Sequence, residues 1–193
     1  RRMKVFKYED YDHYVKAQTE GNKRKIDNVY VDSKVVDAIA NLKGEAKTVL
    51  CHGTRNGAEQ KMFLKCYPDA EVLGTEISDT ADSFPLTTQW DFTHSKSEWE
   101  GYWDIVYSNA FDHSMAPEET IITWRDQLSE NGRLYIDYTY QANHTVSDAT
   151  DPLQVDRGEM VTFLEGLGLE VINSKAMAQR KSKDSVIYEA KKK

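Results

Sequence analysis

At 193 residues, with 39% hydrophobic and 30% charged side chains, the chain is sized for one soluble domain with a full core. No run approaches the roughly 18 apolar residues of a membrane helix, so no membrane partner is expected. Net charge is −7, and from Tyr67 to Asn131 fourteen Asp and Glu stand against two bases, Lys96 and Arg125, so the positive surface that a nucleic-acid enzyme needs is missing from the middle of the chain.

The N-terminal run "RRMKVFKYEDYDHYVK" is basic but has no apolar core behind it, so a signal peptide is not expected and the cytoplasm is the expected compartment. Residues 1–30 read as a helical cap. Tyr8, Tyr11, Tyr14 and Gln18 recur near helical spacing, and they form either a lid over a ligand or a helix packed without one. Basic runs at 22–25, 180–183 and 191–193 read as solvated tails. From 31 to 193 the pattern is that of one domain in which apolar runs alternate with helix-length segments, as in a parallel sheet covered on both faces.

In chain order, 31–44 is a helix capped by Asp32 or Ser33 and stopped at Gly44. Strand 47–51 and helix 58–66 follow, then strands at 70–77, 86–90 and 103–109. "PEETIITWRDQL" (117–128) places proline at a helix start, where its missing N–H costs nothing. A strand at 132–139 and a helix at 157–168 come next. Strands 169–178 and 184–190 leave no room for a helix between them and make a terminal antiparallel pair. Cys51 and Cys66 match neither a disulfide framework nor a metal-site spacing.

"TVLCHGTRNGAEQ" (48–60) joins the first buried strand to its helix through Gly53 and Gly57, whose lack of side chains lets backbone approach a ligand. Glu76 ends the next strand 23 residues after Gly53, where an acid can accept from both ribose hydroxyls. Asp91, in "QWDF", would stand beside it and could accept from an exocyclic adenine amine, with Trp90 or Phe92 as a flat wall. Ser108 and Asn109 end the fourth strand, at the junction where a reversal of strand order would open a crevice.

This arrangement resembles the class I S-adenosylmethionine-dependent methyltransferases, from about Val31 to Ala190. The resemblance rests on "VLCHGTRNG", "VLGTEIS", "WDF", "DIVYSNAFDHS" and "LSENGRLYIDYT". It implies a Rossmann-like α/β fold with a seven-stranded, mostly parallel sheet, the last strand antiparallel and helices on both faces. It also implies S-adenosyl-L-methionine as cofactor and methyl transfer to a small or medium-sized acceptor, by a monomer or homodimer. Under it the cofactor residues are His52, Gly53, Thr54, Arg55, Gly57, Glu76, Ile77, Trp90, Asp91, Ser108 and Asn109. For His52 a core position, donating to a carbonyl, stands equally open. Two residues depart from the family pattern. Cys51 occupies a position usually held by an acid, so the cofactor's ammonium must be met elsewhere, for instance by backbone carbonyls. Arg55 replaces the middle glycine of the turn.

Asp112 and His113 follow the fourth strand, on the loop where methyl acceptors usually lie. His113 is a candidate base for a hydroxyl acceptor, and the competing reading is that Asp112 or Ser114 caps the next helix while His113 packs on it. His13, His94 and His144 have no partner at metal-ligand spacing, so no metal is expected. A nicotinamide-dependent oxidoreductase would want G-x-G-x-x-G where "GTRNG" stands, and an amino-directed nucleic-acid methyltransferase would want an N-P-P-Y-like motif where "SNAF" stands. A catalytically silent binding scaffold is the other rival, supported by Cys51 and Arg55.

Overall fold

The structure, a computed structural model, describes residues 3–140, 147–179 and 183–193. His144 and residues 180–182 of the basic run lie outside the described residues. The elements are β1 (Met3–Val5), α1 (Tyr11–Arg24), α2 (Ser33–Lys43), β2 (Thr48–His52), α3 (Ala58–Cys66), β3 (Glu71–Glu76), β4 (Thr87–Gln89), β5 (Trp103–Ser108), α4 (Pro117–Gln127), β6 (Leu128–Tyr140), β7 (Leu153–Val155), α5 (Met160–Glu165), β8 (Leu169–Gln179) and β9 (Lys183–Lys192).

Seven strands form one sheet in the order β4-β3-β2-β5-β6-β9-β8. The first five are parallel, and β9 runs antiparallel between β6 and β8. Period-2 alternation sorts the strand side chains into two cores. Val49, Cys51, Ile105, Tyr107 and Tyr135 pack under α2 and α3 with Val35, Val36, Ile39 and Phe63. Leu50, Val106, Leu134 and Ile136 pack on the opposite face with Trp124 of α4 and Leu164 of α5. Full burial of each of these aliphatic side chains stabilises the fold by about 1.5–3 kcal/mol. Asp32 is the cap of α2, its carboxylate accepting from the Lys34 amide.

Three stretches differ from expectation. The helix expected over 157–168 is a 3₁₀ turn at Arg157–Glu159 followed by the short α5, in a stretch that carries three glycines, Gly158, Gly166 and Gly168. The strand expected at 132–139 starts at Leu128, because a bulge shifts the β5–β6 register between Trp103 and Ile105. The N-terminal extension is not helical throughout, since β1 pairs antiparallel with β7 in a separate two-stranded sheet. The two partners of this sheet, β1 and β7, lie in segments whose polar and basic flanks give no strand-like run to read beforehand.

Helix α1 lies across the carboxyl edge of the main sheet and is tied to four of its loops. The Tyr11 hydroxyl donates to Asp91 Oδ2 at 2.8 Å and the Tyr14 hydroxyl to the His113 carbonyl at 2.9 Å. Gln18 donates to the Thr150 carbonyl at 3.1 Å, and Asn22 to Thr80 Oγ1 at 2.9 Å. Among the described residues no helix is long and apolar enough to cross a membrane.

Candidate functional site

The strand order reverses between β2 and β5, and there a crevice must open, because the crossovers leave in opposite directions. A cavity of about 400 Å³ occupies that position, within the ordinary range for small-molecule sites. Its floor is the Gly53–Asn56 turn with the ends of β3, β5 and β6. Tyr14, Gln18, Gly21 and Asn22 of α1 form the roof.

Glu76 closes β3 and is 6% exposed. Its Oε1 accepts the Arg55 amide at 3.0 Å and its Oε2 the Ser78 amide at 2.9 Å. These bonds hold the carboxyl plane while each oxygen keeps capacity for another donor. Burial pushes its pKa upward, against those two amides. Asp91 is placed similarly after β4: Oδ1 accepts the Thr93 amide at 2.9 Å and Oδ2 the Tyr11 hydroxyl. The Gly53 turn is tight. Gly53 has φ 72°, and a Cβ there would come within 2.7 Å of the Ala110 Cβ, so only glycine fits between the turn and the loop after β5.

No protein-family model matches the sequence, and a search of curated proteins finds no match. Among solved structures, the Burkholderia thailandensis 1,6-didemethyltoxoflavin-N1-methyltransferase, with 1,6-didemethyltoxoflavin and S-adenosylhomocysteine bound, is similar at TM-score 0.78 and 14% identity, over 96% of this chain and 92% of that one. The magnesium protoporphyrin IX methyltransferase from Synechocystis, with bound SAM, is similar at TM-score 0.61 and 13% identity, over 97% and 100%. The sheet order and these likenesses decide the fold. The chain has the class I methyltransferase fold. The [4+2]-cyclase SpnF is also similar, at TM-score 0.64 and 12% identity over 83% and 80%, so the fold alone does not dictate a reaction.

Within this methyltransferase fold, Gly53, Thr54, Arg55, Glu76, Ile77, Trp90, Asp91, Asn109, Asp112 and His113 all line the cavity. Arg55 stands at φ 53° in the turn, a left-handed conformation costing a side-chain-bearing residue about 1–2 kcal/mol. Besides its amide bond to Glu76, its Nε donates to Asn22 Oδ1 at 3.0 Å and its guanidinium lies over the Tyr30 ring.

Three expected residues are not in the lining. His52 is 1% exposed and points into the core beneath α4, because alternation along β2 sends it to the face opposite Cys51. Its Nε2 lies 2.8 Å from Gln127 Oε1 and its Nδ1 3.0 Å from Thr75 Oγ1, with the ring stacked on Trp124. Ser108 is fully buried, donating to the His52 carbonyl and accepting the Ala110 amide, both at 2.9 Å. Gly57, at φ 79°, is the left-handed cap of α3.

Other lining residues went unread in the sequence. Glu59 in the first turn of α3, Asp137 near the end of β6, and Thr150 and Asp151 before β7 complete the wall. Asp137 had a legible signal: an acid inside the apolar run "LYIDY" is out of place unless it serves a site.

The His113 ring is oriented by the segment before β7. Its Nδ1 lies 2.9 Å from the Thr150 carbonyl, which can only accept, so Nδ1 carries the hydrogen and Nε2 the lone pair. Asp112 Oδ1 is 3.8 Å from Nε2, and Asp151 Oδ1 is 3.6 Å from Nδ1.

Two buried groups give the fold opposing responses to pH. Burial lowers the His52 imidazole to about 4 from 6.5, so its share of stability is lost as pH falls from 6.5 towards 4. Burial raises the Glu59 carboxyl to about 8 from 4.5, so its share, complete below 4.5, is lost as pH rises towards 8. Between pH 7 and pH 5 each moves stability by about 2 kcal/mol, in opposite directions. Glu59→Gln removes one of the pair. In urea titrations the variant is expected to be more stable than wild type at pH 7 and to lose about 2 kcal/mol on going to pH 5, while wild type changes little. Parallel pH profiles for the two proteins would contradict this assignment.

Proposed function

We propose that the chain transfers the methyl group of S-adenosylmethionine to a small acceptor bound beside His113. The observation that carries this reading is Glu76: a carboxyl fixed by two backbone amides at a strand end, next to a glycine turn, and open to a cavity. That donor set fits an adenosyl group. Glu76 keeps acceptor sites for vicinal ribose hydroxyls, Asp91 for an exocyclic amine, and Trp90 and Phe92 give apolar walls. When bound, the cofactor supplies an electrophilic methyl whose bonding electrons return to sulfur.

The protein's part is positioning and proton removal. Glu76 and the Gly53 turn hold one partner while the loop after β5 holds the other, so attack becomes effectively unimolecular. His113, with its hydrogen fixed on Nδ1, presents Nε2 to take the proton of a hydroxyl or amine acceptor, and Asp112 and Asp151 stabilise the imidazolium that results. Six carboxyls (Glu59, Glu76, Asp91, Asp112, Asp137, Asp151) line the cavity against Lys25 and Arg55, which favours a neutral or cationic acceptor over a phosphorylated one.

Thermal melting tests the reading. S-adenosylhomocysteine at about 100 times its Kd is expected to add ~2.7 kcal/mol, or about 5–10 °C in Tm, while NADH leaves Tm unchanged. Stabilisation by NADH alone would hand the cavity to a dinucleotide.

A further inference from the structure

By the resemblance drawn from the sequence, Cys51 holds the position of an acid expected to meet the cofactor's amino-acid end, and its thiol cannot take that part. It is fully buried in the core under α2 and α3, outside the cavity lining, and burial holds it neutral by raising its pKa. Negative charge reaches the cavity beside it from two other elements. Cys51 pairs with Tyr107 across β2 and β5, and Tyr107 with Tyr135 across β5 and β6. Asp137, two residues beyond Tyr135, is therefore on the same sheet face, one step nearer the carboxyl edge. It is 3% exposed and accepts from the Tyr107 hydroxyl at 3.2 Å. Glu59 comes from the first turn of α3, is 5% exposed and lines the same cavity. Burial opposes its ionised form, which its own backbone amide and Arg55 favour.

We propose that Glu59 and Asp137 together receive the ammonium group of the cofactor's amino-acid end, replacing the acid that Cys51 has displaced; this rests on the adenosyl reading of the cavity. An ammonium carries three donors and a full charge. Placed by two buried carboxyls whose ionised forms repel each other, it satisfies both and offsets the desolvation of their charge. A neutral ligand tail gains nothing there, so the arrangement selects for the charged amine.

The groups acting on Glu59 across the packed elements are Arg55, which favours its ionised form, and Glu76 and Asp137, which oppose it; Cys51 and Tyr107, both neutral, lie within its field. Burial keeps Glu59 protonated up to about 8, so ligand binding must release its proton. Affinity for an aminated ligand accordingly tightens as pH rises from 6 to 8.

Calorimetry with three probes tests this: S-adenosylhomocysteine, its deaminated analogue, and 5′-methylthioadenosine, which lacks the whole amino-acid end. Glu59→Gln and Asp137→Asn are each expected to weaken S-adenosylhomocysteine binding by at least about 30-fold and 5′-methylthioadenosine by less than threefold. The pH dependence of S-adenosylhomocysteine affinity should flatten in Glu59→Gln. In the unmutated protein, loss of the amine should itself cost at least about 30-fold, which keeps the test independent of how either variant folds. Variants that bind S-adenosylhomocysteine like wild type, or that weaken both probes equally, overturn this proposal alone. A wild type that binds none of the three probes overturns the adenosyl reading as well.

Discussion

Glu76→Ala is expected to weaken S-adenosylhomocysteine binding by at least about 100-fold in calorimetry. Hydrogen bonds to a charged acceptor contribute about 1.5–3 kcal/mol each, and two ribose hydroxyls facing one carboxylate would lose at least 3 kcal/mol together. The substitution also strands the Arg55 and Ser78 amides that Glu76 now accepts, so the glycine turn loosens and Tm falls by several degrees. Glu76→Gln separates these effects, because it keeps one acceptor oxygen without the charge. It should bind the ligand with affinity between that of wild type and that of the alanine variant. If all three proteins bound equally, the ribose assignment would fail.

Gly53→Val should unfold the turn rather than merely fill it. A left-handed residue with a side chain costs about 1–2 kcal/mol, and a β-branched one more. The new Cβ would also lie 2.7 Å from the Ala110 Cβ, a separation no packing tolerates. A loss of about 2–4 kcal/mol follows, or about 5–15 °C in Tm, with ligand binding abolished. Gly53→Ala with Ala110→Gly is the informative control: it removes the clash but keeps the backbone strain. Scanning calorimetry should place this double variant between wild type and Gly53→Ala. If the double variant melted no higher than Gly53→Ala, the contact with Ala110 would carry no weight.

Much of this was legible in the residues. Most of the sheet's strands announce themselves as apolar runs, and all seven strands of the main sheet, with the helices at Ser33–Lys43, Ala58–Cys66 and Pro117–Gln127, were read within a few residues of their ends. Glu76 and Asp91 could be located because their positions follow from strand ends. His52 shows where such reading stops. Strand-end residues alternate between faces, and only the packing of Trp124 and Gln127 reveals that this one points to the core. Glu59 was missed for a related reason: a charged residue in a helix's first turn looks solvated until the topology buries it, whereas the acid at Asp137 stood out in its apolar run and went unread all the same. The pairing of β1 with β7 joins residues about 150 positions apart and leaves no local signal.

The placement of β9 has a consequence for how the chain is made. Residues 134–140 of β6 pair on their outer side with 184–190, and among the described residues β8 joins the sheet only through β9. Until residues 183–192 have been synthesised, β6 presents an unsatisfied edge and β8 lacks its sheet partner. The nascent half containing β2 to β5 can compact first. The far half must wait for β9 to insert between two strands that precede it in the chain, and until then it is exposed to mispairing with neighbouring chains.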